Sequence, residues 1–172
     1  MEGAEPRVRP RTGGDVERCV RVLADVHRCD GYPVNWPERP DEWLSQASVS
    51  AAWVAEHGGR LVGHVSLSRG SEGDLAPGLW SERSGVSKDL TAVVSRLFVA
   101  PQARGHGIGA LLMGRAMEEA RGRGLHPVLD VVASDTSAAA LYERLDWELM
   151  ATVEQRWSPD RSVSIHCYTA PA

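Results

Sequence analysis

The feature that most constrains this chain is a set of three glycines between an apolar run and a helical pattern. In "LFVAPQARGHGIGALLMGRAM", Gly105, Gly107 and Gly109 alternate, and apolar residues recur at every fourth position from Ile108 onwards. Glycine weakens the start of a helix, so its presence there needs another reason. The N-terminus of a helix binds anions through free backbone N–H groups, and glycines let a ligand approach that backbone closely. The segment therefore predicts a strand, a turn and a helix that together hold a phosphate group.

The segments around this turn predict an α/β domain. The run "LTAVVSRLFVA" before it is rich in β-branched residues, and "PVLDVVA" after it is a second strand-like run. With the helix between them they form one βαβ unit, whose strands are parallel and whose crossover is right-handed. Hairpin patterns on both sides of this unit predict antiparallel strands. The predicted fold class is α/β (α+β), a mixed, mostly antiparallel sheet with flanking helices, in a single domain over residues 1–172.

Two helices and two loops complete the prediction. Apolar spacing favours a helix over about 14–28, with Asp15 as its N-cap, and a short helix over 40–47. The proline- and aromatic-rich stretch 30–44 is a candidate substrate lid. Residues 70–89 mix Gly, Ser, Pro and charge without periodicity, so they predict a long loop or a hairpin extension.

Composition excludes several classes of protein. The formal net charge is −4 and basic residues are scattered, which disfavours binding to nucleic acid. No run is long and apolar enough to span a bilayer, and the N-terminus lacks a secretory signal, so we expect a cytoplasmic protein with no membrane contact. Cys19, Cys29 and Cys167 are odd in number and widely spaced, which favours buried thiols over disulfides. His27 and Cys29 have no second ligand pair at a zinc-like spacing, so we expect no metal.

Two nucleotide-binding motifs also place glycines in front of a helix. A Walker A loop is excluded, because no lysine with a following Ser or Thr comes after Gly109. A dinucleotide motif matches better, since Gly105, Gly107 and Ala110 fit GxGxxA and Asp130 lies 20 residues further on. However, Asp130 falls inside its apolar run, and only one βαβ unit is present where a dinucleotide fold needs two halves. Dinucleotide binding is therefore the less favoured alternative.

The segments "QARGHG", residues 102–107, and "ALYERLDW", residues 140–147, resemble those of the GNAT superfamily of acyl-CoA-dependent N-acyltransferases. The superfamily signature is Q/R-x-x-G-x-G/A, and the predicted order of elements agrees over nearly the whole chain. The resemblance implies transfer of acetyl from acetyl-CoA to a primary amine by direct attack, and it leaves a homodimer open. A second hypothesis is a domain of this kind that binds acyl-CoA as a sensor without catalysis.

The resemblance also implies the residues of the site. Tyr142 would donate its hydroxyl proton to the leaving sulfur, since a phenol with a pKa near 10 stays protonated at neutral pH. The backbone of Leu97 and Val99 would pair with the pantetheine arm as an added strand does. The residues expected to bind acetyl-CoA are Leu97, Phe98, Val99, Gln102, Arg104, Gly105, His106, Gly107, Ile108, Gly109, Ala110 and Asp135.

Two positions depart from the superfamily pattern. Asp135 stands where many members have Asn, so a contact with the cofactor is one expectation and an N-cap for the next helix is the other. Asp146 replaces a glycine after that helix, where a left-handed residue is expected and Asp is tolerated.

The general base and the acceptor are not fixed by the sequence. The strand before the glycines has no Glu at the usual base position and offers only Ser95 and Arg96, which slightly favours the sensor hypothesis. A water chain, Glu56, His64 or Asp130 could take the proton instead. For the acceptor, Trp36, Trp43 and the acidic pair Asp41 and Glu42 could shape a site for a cationic amine, or the tryptophans could simply anchor their loop.

Overall fold

The computed structural model describes residues 5–172, and its seven strands form one sheet. The strands are β1 Arg7–Pro10, β2 Val49–His57, β3 Arg60–Ser68, β4 Thr91–Val99, β5 His126–Val132, β6 Glu148–Ser158 and β7 Arg161–Thr169. The helices are α1 Val16–Asp30, α2 Pro40–Leu44, α3 Ala76–Ser84, α4 Ile108–Gly122 and α5 Thr136–Arg144. The strand order is β1-β2-β3-β4-β5-β7-β6, and every neighbouring pair is antiparallel except β4 and β5. The predicted fold class is confirmed.

Close packing of α4 against the sheet requires a glycine on β3. A Cβ at Gly63 would lie 3.0 Å from Leu112 Cδ1 and 3.3 Å from Ile108 Cγ2, two buried side chains of α4. Successive residues of a strand point to opposite faces, so the buried ring of His64 lies on the other side of the sheet from α4. The missing side chain thus sets the distance between the sheet and the helix that follows the glycine turn.

β4 and β5 separate after only three residue pairs. Their parallel pairing runs from Thr91 and His126 to Val93 and Val128, whereas β4 continues to Val99. A bulge in β4 accompanies the separation, because β4 advances three residues from Ser95 while its partner β3 advances two. Within the bulge Arg96 has φ +54°, a conformation that costs energy for any residue with a side chain. The β5-facing edge of β4 beyond Val93 is consequently left without a strand partner.

The prediction of a loop over 70–89 is wrong. The structure has α3 and a 3₁₀ turn over Lys88–Leu90 in that stretch. Helix α3 packs Leu79 and Trp80 onto the part of the sheet formed by β5, β6 and β7. Its own apolar pattern is weak, so contacts with the sheet rather than local periodicity stabilise it.

The predicted helix ends also shift. The first helix runs over Val16–Asp30 rather than 14–28, and the short helix stops at Leu44 instead of 47. Asp146 has φ +64°, as expected for the position after α5.

Asp15 stands at the N-cap position of α1, as predicted, but its side chain makes no capping hydrogen bond to the helix. Its carboxylate, 1 % exposed, accepts hydrogen bonds from the Thr12 backbone N–H (2.7 Å) and from Arg9 Nη1 (2.7 Å) and Nη2 (2.8 Å). Arg18 Nη2 donates at 2.6 Å. Asp15 therefore ties β1 to the start of α1.

We predict that Asp15→Asn lowers the free energy of unfolding at pH 7 by about 2–3 kcal/mol, because it leaves Arg9 without its buried partner. The hydrogen bonds from Arg9 hold the pKa of Asp15 well below its ordinary value of about 3.9. The stabilisation is therefore present above that value and is lost as the pH falls through the lower, folded-state pKa. Denaturant unfolding at pH 7 and pH 3 checks this, and the gap between the two proteins should narrow in acid. The control Glu17→Gln removes only an exposed ion pair with Arg21 and should leave stability unchanged.

Candidate active site

Two adjoining cavities occupy the gap between β4 and β5. The loop cavity, about 480 Å³, is bordered by the turn before α4, which includes Gly105 and Gly107. The tryptophan cavity, about 370 Å³, has Trp43 and Trp157 in its wall. The residues common to both walls are Asp30, Tyr32, Leu97 and Asp135. The two cavities thus meet at a junction made by the end of α1, β4 and the start of α5.

The glycines of the turn have two different roles. Gly105 and Gly107 have φ +86° and +72°, and a Cβ at either would meet nothing within 4 Å. Their left-handed conformation, rather than crowding, requires glycine there. Gly109 differs, because a Cβ on it would lie 2.9 Å from Leu141 Cδ2. The first two shape the turn at the N-terminus of α4, and the third allows α4 to pack against α5.

Arg104 lies at the wall of the loop cavity and pairs with Asp30. Its Nη2 also lies 3.4 Å from the Val99 carbonyl oxygen at the end of β4. The hydrogen bond to Asp30 raises the pKa of Arg104, so the guanidinium is firmly charged. A cation and the N-terminus of α4 therefore border the same cavity, which suits an anionic ligand.

Most of the residues predicted to bind the cofactor come together in this wall. Those that line the loop cavity are Leu97, Phe98, Val99, Arg104, Gly105, Gly107, Ile108, Gly109, Ala110 and Asp135. The side chain of Gln102 is exposed, and the exposed ring of His106 packs on His57 at 4.7 Å between ring centroids. Neither residue is part of the wall, so their role as ligands stays a prediction from the resemblance.

Tyr142 lies in the wall of the tryptophan cavity, on α5. It is 6 % exposed, and its ring packs on Tyr168 at 5.7 Å and on Trp147 at 6.1 Å between centroids. Burial raises its pKa well above the usual value near 10, with nearby Tyr32 and Asp135 adding to the effect. The phenol therefore keeps its proton and is available as a hydrogen-bond donor.

Asp135 caps α5 at the junction of the cavities. One carboxylate oxygen accepts a hydrogen bond from the Ala138 backbone N–H at 3.2 Å, as the N-cap expectation required. Burial raises its pKa, and that hydrogen bond opposes the rise. The cap and a contact with a ligand are compatible, since the carboxylate also lines both cavities.

The three side chains proposed as bases are all engaged elsewhere. Glu56 pairs with Arg9 beside β1. His64 is fully buried on β3 and belongs to neither cavity wall. Asp130 does line the tryptophan cavity, but its two oxygens accept the backbone N–H groups of Leu75 (2.7 Å) and Ala76 (2.9 Å) at the start of α3.

His64 is held as a neutral ring by contacts on both nitrogens. Nδ1 donates to the Arg96 carbonyl oxygen at 2.9 Å, and Nε2 accepts from Arg11 Nη1 at 2.9 Å. The ring is fully buried and stacks on Phe98 at 5.1 Å. Burial lowers its pKa from 6.5 to about 4.

Sequence reasoning missed several residues of the tryptophan cavity. Trp43 lines it as anticipated, whereas Trp36 packs on His27, and Glu42 is exposed and pairs with Arg39. Arg96, Val132 and Trp157 enter its wall without having been assigned to a site, and Tyr32 enters it from the stretch 30–44 predicted as a substrate lid. These residues are far apart in the chain, so no spacing could have grouped them.

Metal-binding clusters and membrane-spanning helices are both absent from the described part of the chain. Within residues 5–172, no cluster of three or more His, Cys, Asp or Glu side chains is placed to hold a metal ion. None of the helices there has the length and apolar character needed to cross a membrane. Cys19 and Cys167 are buried as expected, but Cys29 is exposed.

Residues 21–147 match the acetyltransferase (GNAT) family. The chain belongs to this family. An uncharacterised N-acetyltransferase from Methanocaldococcus jannaschii is 31 % identical over 114 residues, which cover 66 % of this chain and 46 % of that relative. The chain thus spans about half the length of the curated relative that it matches.

Solved GNAT-like structures share the fold. A Salmonella typhimurium protein, yncA, with its cofactor acetyl-CoA superimposes with a TM-score of 0.68 at 19 % identity, covering 96 % of this chain and 93 % of that one. An Arabidopsis thaliana protein in complex with acetyl-CoA gives a TM-score of 0.68 at 18 % identity, covering 95 % and 98 %.

We predict that the His64 ring stays neutral, with the proton on Nδ1, down to about pH 5. Nuclear magnetic resonance titration of the imidazole nitrogens checks this, with an expected midpoint near 4. A midpoint near 6.5 would contradict the burial argument. Because the unfolded ring binds a proton at higher pH than the folded one, His64 should also cost stability as the pH falls from 6.5 towards 4.

Proposed function

We propose that this chain transfers the acetyl group of acetyl-CoA to a primary amine by direct attack. The observation that carries the proposal is the pair of cavities that meet where β4 and β5 separate. One cavity has a backbone turn suited to an anion, and the other has a buried phenol on its wall. A sensor of acyl-CoA needs only the first cavity, so the second favours an enzyme.

The loop cavity would hold the cofactor. Backbone N–H groups from Gly105 to Ala110 would bind the diphosphate at the N-terminus of α4. Arg104 would turn part of its hydrogen bonding from Asp30 to the phosphates. The unpaired edge of β4 at Leu97 and Val99 would accept the pantetheine arm as an added strand. The acetyl-CoA present in two structures of the same fold supports acetyl-CoA as the cofactor.

The tryptophan cavity would hold the amine, with Tyr142 near the reacting atoms. As the amine nitrogen bonds to the acetyl carbon, the carbon–sulfur bond breaks, and one proton passes overall from nitrogen to sulfur. Tyr142 would donate a hydrogen bond to the departing sulfur. Its pKa lies above its usual value, while an ordinary thiol has a pKa near 8.5, so the phenol stabilises the thiolate without giving up its proton completely.

Direct attack needs no acyl-enzyme. Cys19 and Cys167 are buried with pKa values raised by burial, to about 11 and about 12. Exposed Cys29 is absent from both cavity walls. A covalent route through a cysteine thiolate is therefore not supported.

We predict that Gly107→Asn weakens acetyl-CoA binding by about 10- to 100-fold, the usual value of hydrogen bonds to a charged group. Asparagine tolerates positive φ, so the main effect is a side chain placed in the proposed phosphate site. Isothermal calorimetry and the melting shift with acetyl-CoA measure this, with NADH and ATP as comparison ligands.

The matched control for that variant is Gly85→Asn. Gly85 has φ +76° and equally open surroundings, but it ends α3 away from both cavities. It should retain full acetyl-CoA binding. The proposed cofactor site would be contradicted if both variants lost acetyl-CoA affinity equally. It would also be contradicted if NADH alone stabilised the wild-type chain.

We predict that Tyr142→Phe lowers the single-turnover rate of acetyl transfer by about 10²- to 10⁴-fold, because it removes only the hydroxyl that stabilises the leaving sulfur. Acetyl-CoA binding should change little. The measurement is release of free CoA thiol with an amine that a panel of amino acids, polyamines, aminoglycosides and peptides has identified as an acceptor. An unchanged rate would reduce Tyr142 to a packing residue, and no thiol release with any amine would overturn the proposed activity.

A further inference from the structure

The tryptophan cavity contains one cation, Arg96, that has no ion-pair partner. Its guanidinium carbon lies 3.9 Å above the centre of the Trp43 ring. Nε lies 3.4 Å from the Trp43 carbonyl oxygen, and Nη2 donates to Gln46 Oε1 at 3.0 Å. Neither contact uses Nη1. Among residues 5–172, no carboxylate oxygen lies within 4.0 Å of this guanidinium.

The carboxylates near Arg96 are bound to other groups. Asp130 accepts the two backbone N–H groups at the start of α3. Asp74 lies with Arg96 on the wall of a smaller pocket of about 90 Å³, and its carboxylate accepts the Ser71 backbone N–H at 2.8 Å and hydroxyl at 3.1 Å. Burial lowers the pKa of Arg96, and the charge of Asp74 opposes this only in part. A half-buried guanidinium without an ion pair is costly, and an incoming anion would relieve that cost.

The charged groups of the cavity are separated along its length. Asp30 and Asp135 lie at the junction with the loop cavity, whereas Arg96 lines the tryptophan cavity and the smaller pocket but not the loop cavity. Tyr32 responds to both kinds of charge. Burial raises its pKa to about 12, the positive charge of Arg96 lowers that pKa, and the negative charge of Asp135 raises it. Two carboxylates therefore lie at the junction, where an acetyl group would arrive, while Arg96 lines the cavity outside it together with Asp130, whose oxygens are bound by the start of α3.

The backbone keeps Arg96 in place at an energetic cost. Arg96 has φ +54° in the β4 bulge, and its carbonyl oxygen accepts the His64 Nδ1 proton at 2.9 Å. Strain of this kind persists where surrounding contacts enforce it, and it is concentrated at functional sites. The bulge thus turns the guanidinium toward Trp43 and the cavity.

We propose that Arg96 binds the carboxylate of the acceptor, and that the acceptor of this chain is a small compound with an amine and a nearby carboxylate, of the amino-acid class. The inference rests on the proposed function, which it narrows to a substrate class. The ammonium group would enter at the Asp30 and Asp135 end, and the carboxylate would pair with Nη1 of Arg96. A volume of about 370 Å³ is at the small end of the range for ligand pockets, which favours a single amino acid over a peptide. A polyamine would place a second cation against Arg96.

The experiment compares matched acceptors that differ only in the carboxylate. Phenylalanine is paired with phenethylamine and leucine with isopentylamine, and each amino acid is also tested as its methyl ester. The wild-type chain should have a higher kcat/KM for the amino acid of a pair than for its amine or ester. In Arg96→Gln that preference should fall by about 10- to 100-fold, mainly through KM, because a charged hydrogen bond is lost. Arg96→Lys should restore part of it, since it keeps the charge but not the planar group.

The control variant is Arg39→Gln, in the same loop region as Trp43 but exposed and paired only with Glu42. Its preference for carboxylates should match the wild type. Wild-type preference for the plain amines or esters, or an unchanged preference in a folded Arg96→Gln, overturns the inference and leaves the acetyltransferase proposal intact. If Arg96→Gln does not fold, the inference is tested by the wild-type preference between amino acids and their matched amines or esters, and by that preference in Arg96→Lys. No transfer to any amine overturns the proposed function itself.

Discussion

The separation of β4 from β5 is the constraint on which the rest of the site depends. Parallel pairing stops at Val93 and Val128, and the β4 bulge at Arg96 turns the strand away from its neighbour. Had the strands remained paired, their backbone groups would be satisfied within the sheet and no cavity would open there. Because they part, the sheet has a gap in its interior, and α1, α4 and α5 supply the walls of that gap. The strained backbone of Arg96 is therefore part of the free-energy cost of opening this gap.

The loop cavity is shaped mainly by backbone conformation, whereas the tryptophan cavity is defined mainly by its side chains. In the loop cavity, the positive φ of Gly105 and Gly107 shapes the turn at the start of α4, and Arg104 adds a charge. In the tryptophan cavity, side chains dominate, and burial decides their protonation. Tyr142 keeps its proton because burial excludes water from it and raises its pKa. Burial likewise makes the charge of the Arg96 guanidinium costly without an ion pair.

Sequence reasoning grouped the residues of the loop cavity better than those of the tryptophan cavity, for a physical reason. The turn from Gly105 to Gly109 is local, so its residues are neighbours in the chain and their spacing carries the signal. The tryptophan cavity joins Tyr32, Arg96 and Trp157 from three separate parts of the chain, and no local pattern records that. Helix α3 was missed for a related reason, since Asp130 of β5 binds its first N–H groups across 54 or 55 residues.

The sequence by itself determined the strands, the single βαβ unit, the glycine turn and the family resemblance, because periodicity and left-handed glycines act over a few residues. Tertiary structure alone decided which charged groups were free for chemistry. It bound His64 between Arg11 and a carbonyl oxygen, and it paired Glu56 with Arg9. It also left Arg96 on a cavity wall with no carboxylate oxygen of residues 5–172 within 4.0 Å of its guanidinium. Those outcomes depend on distances between segments that are remote in the chain, and such distances exist only once the sheet has formed.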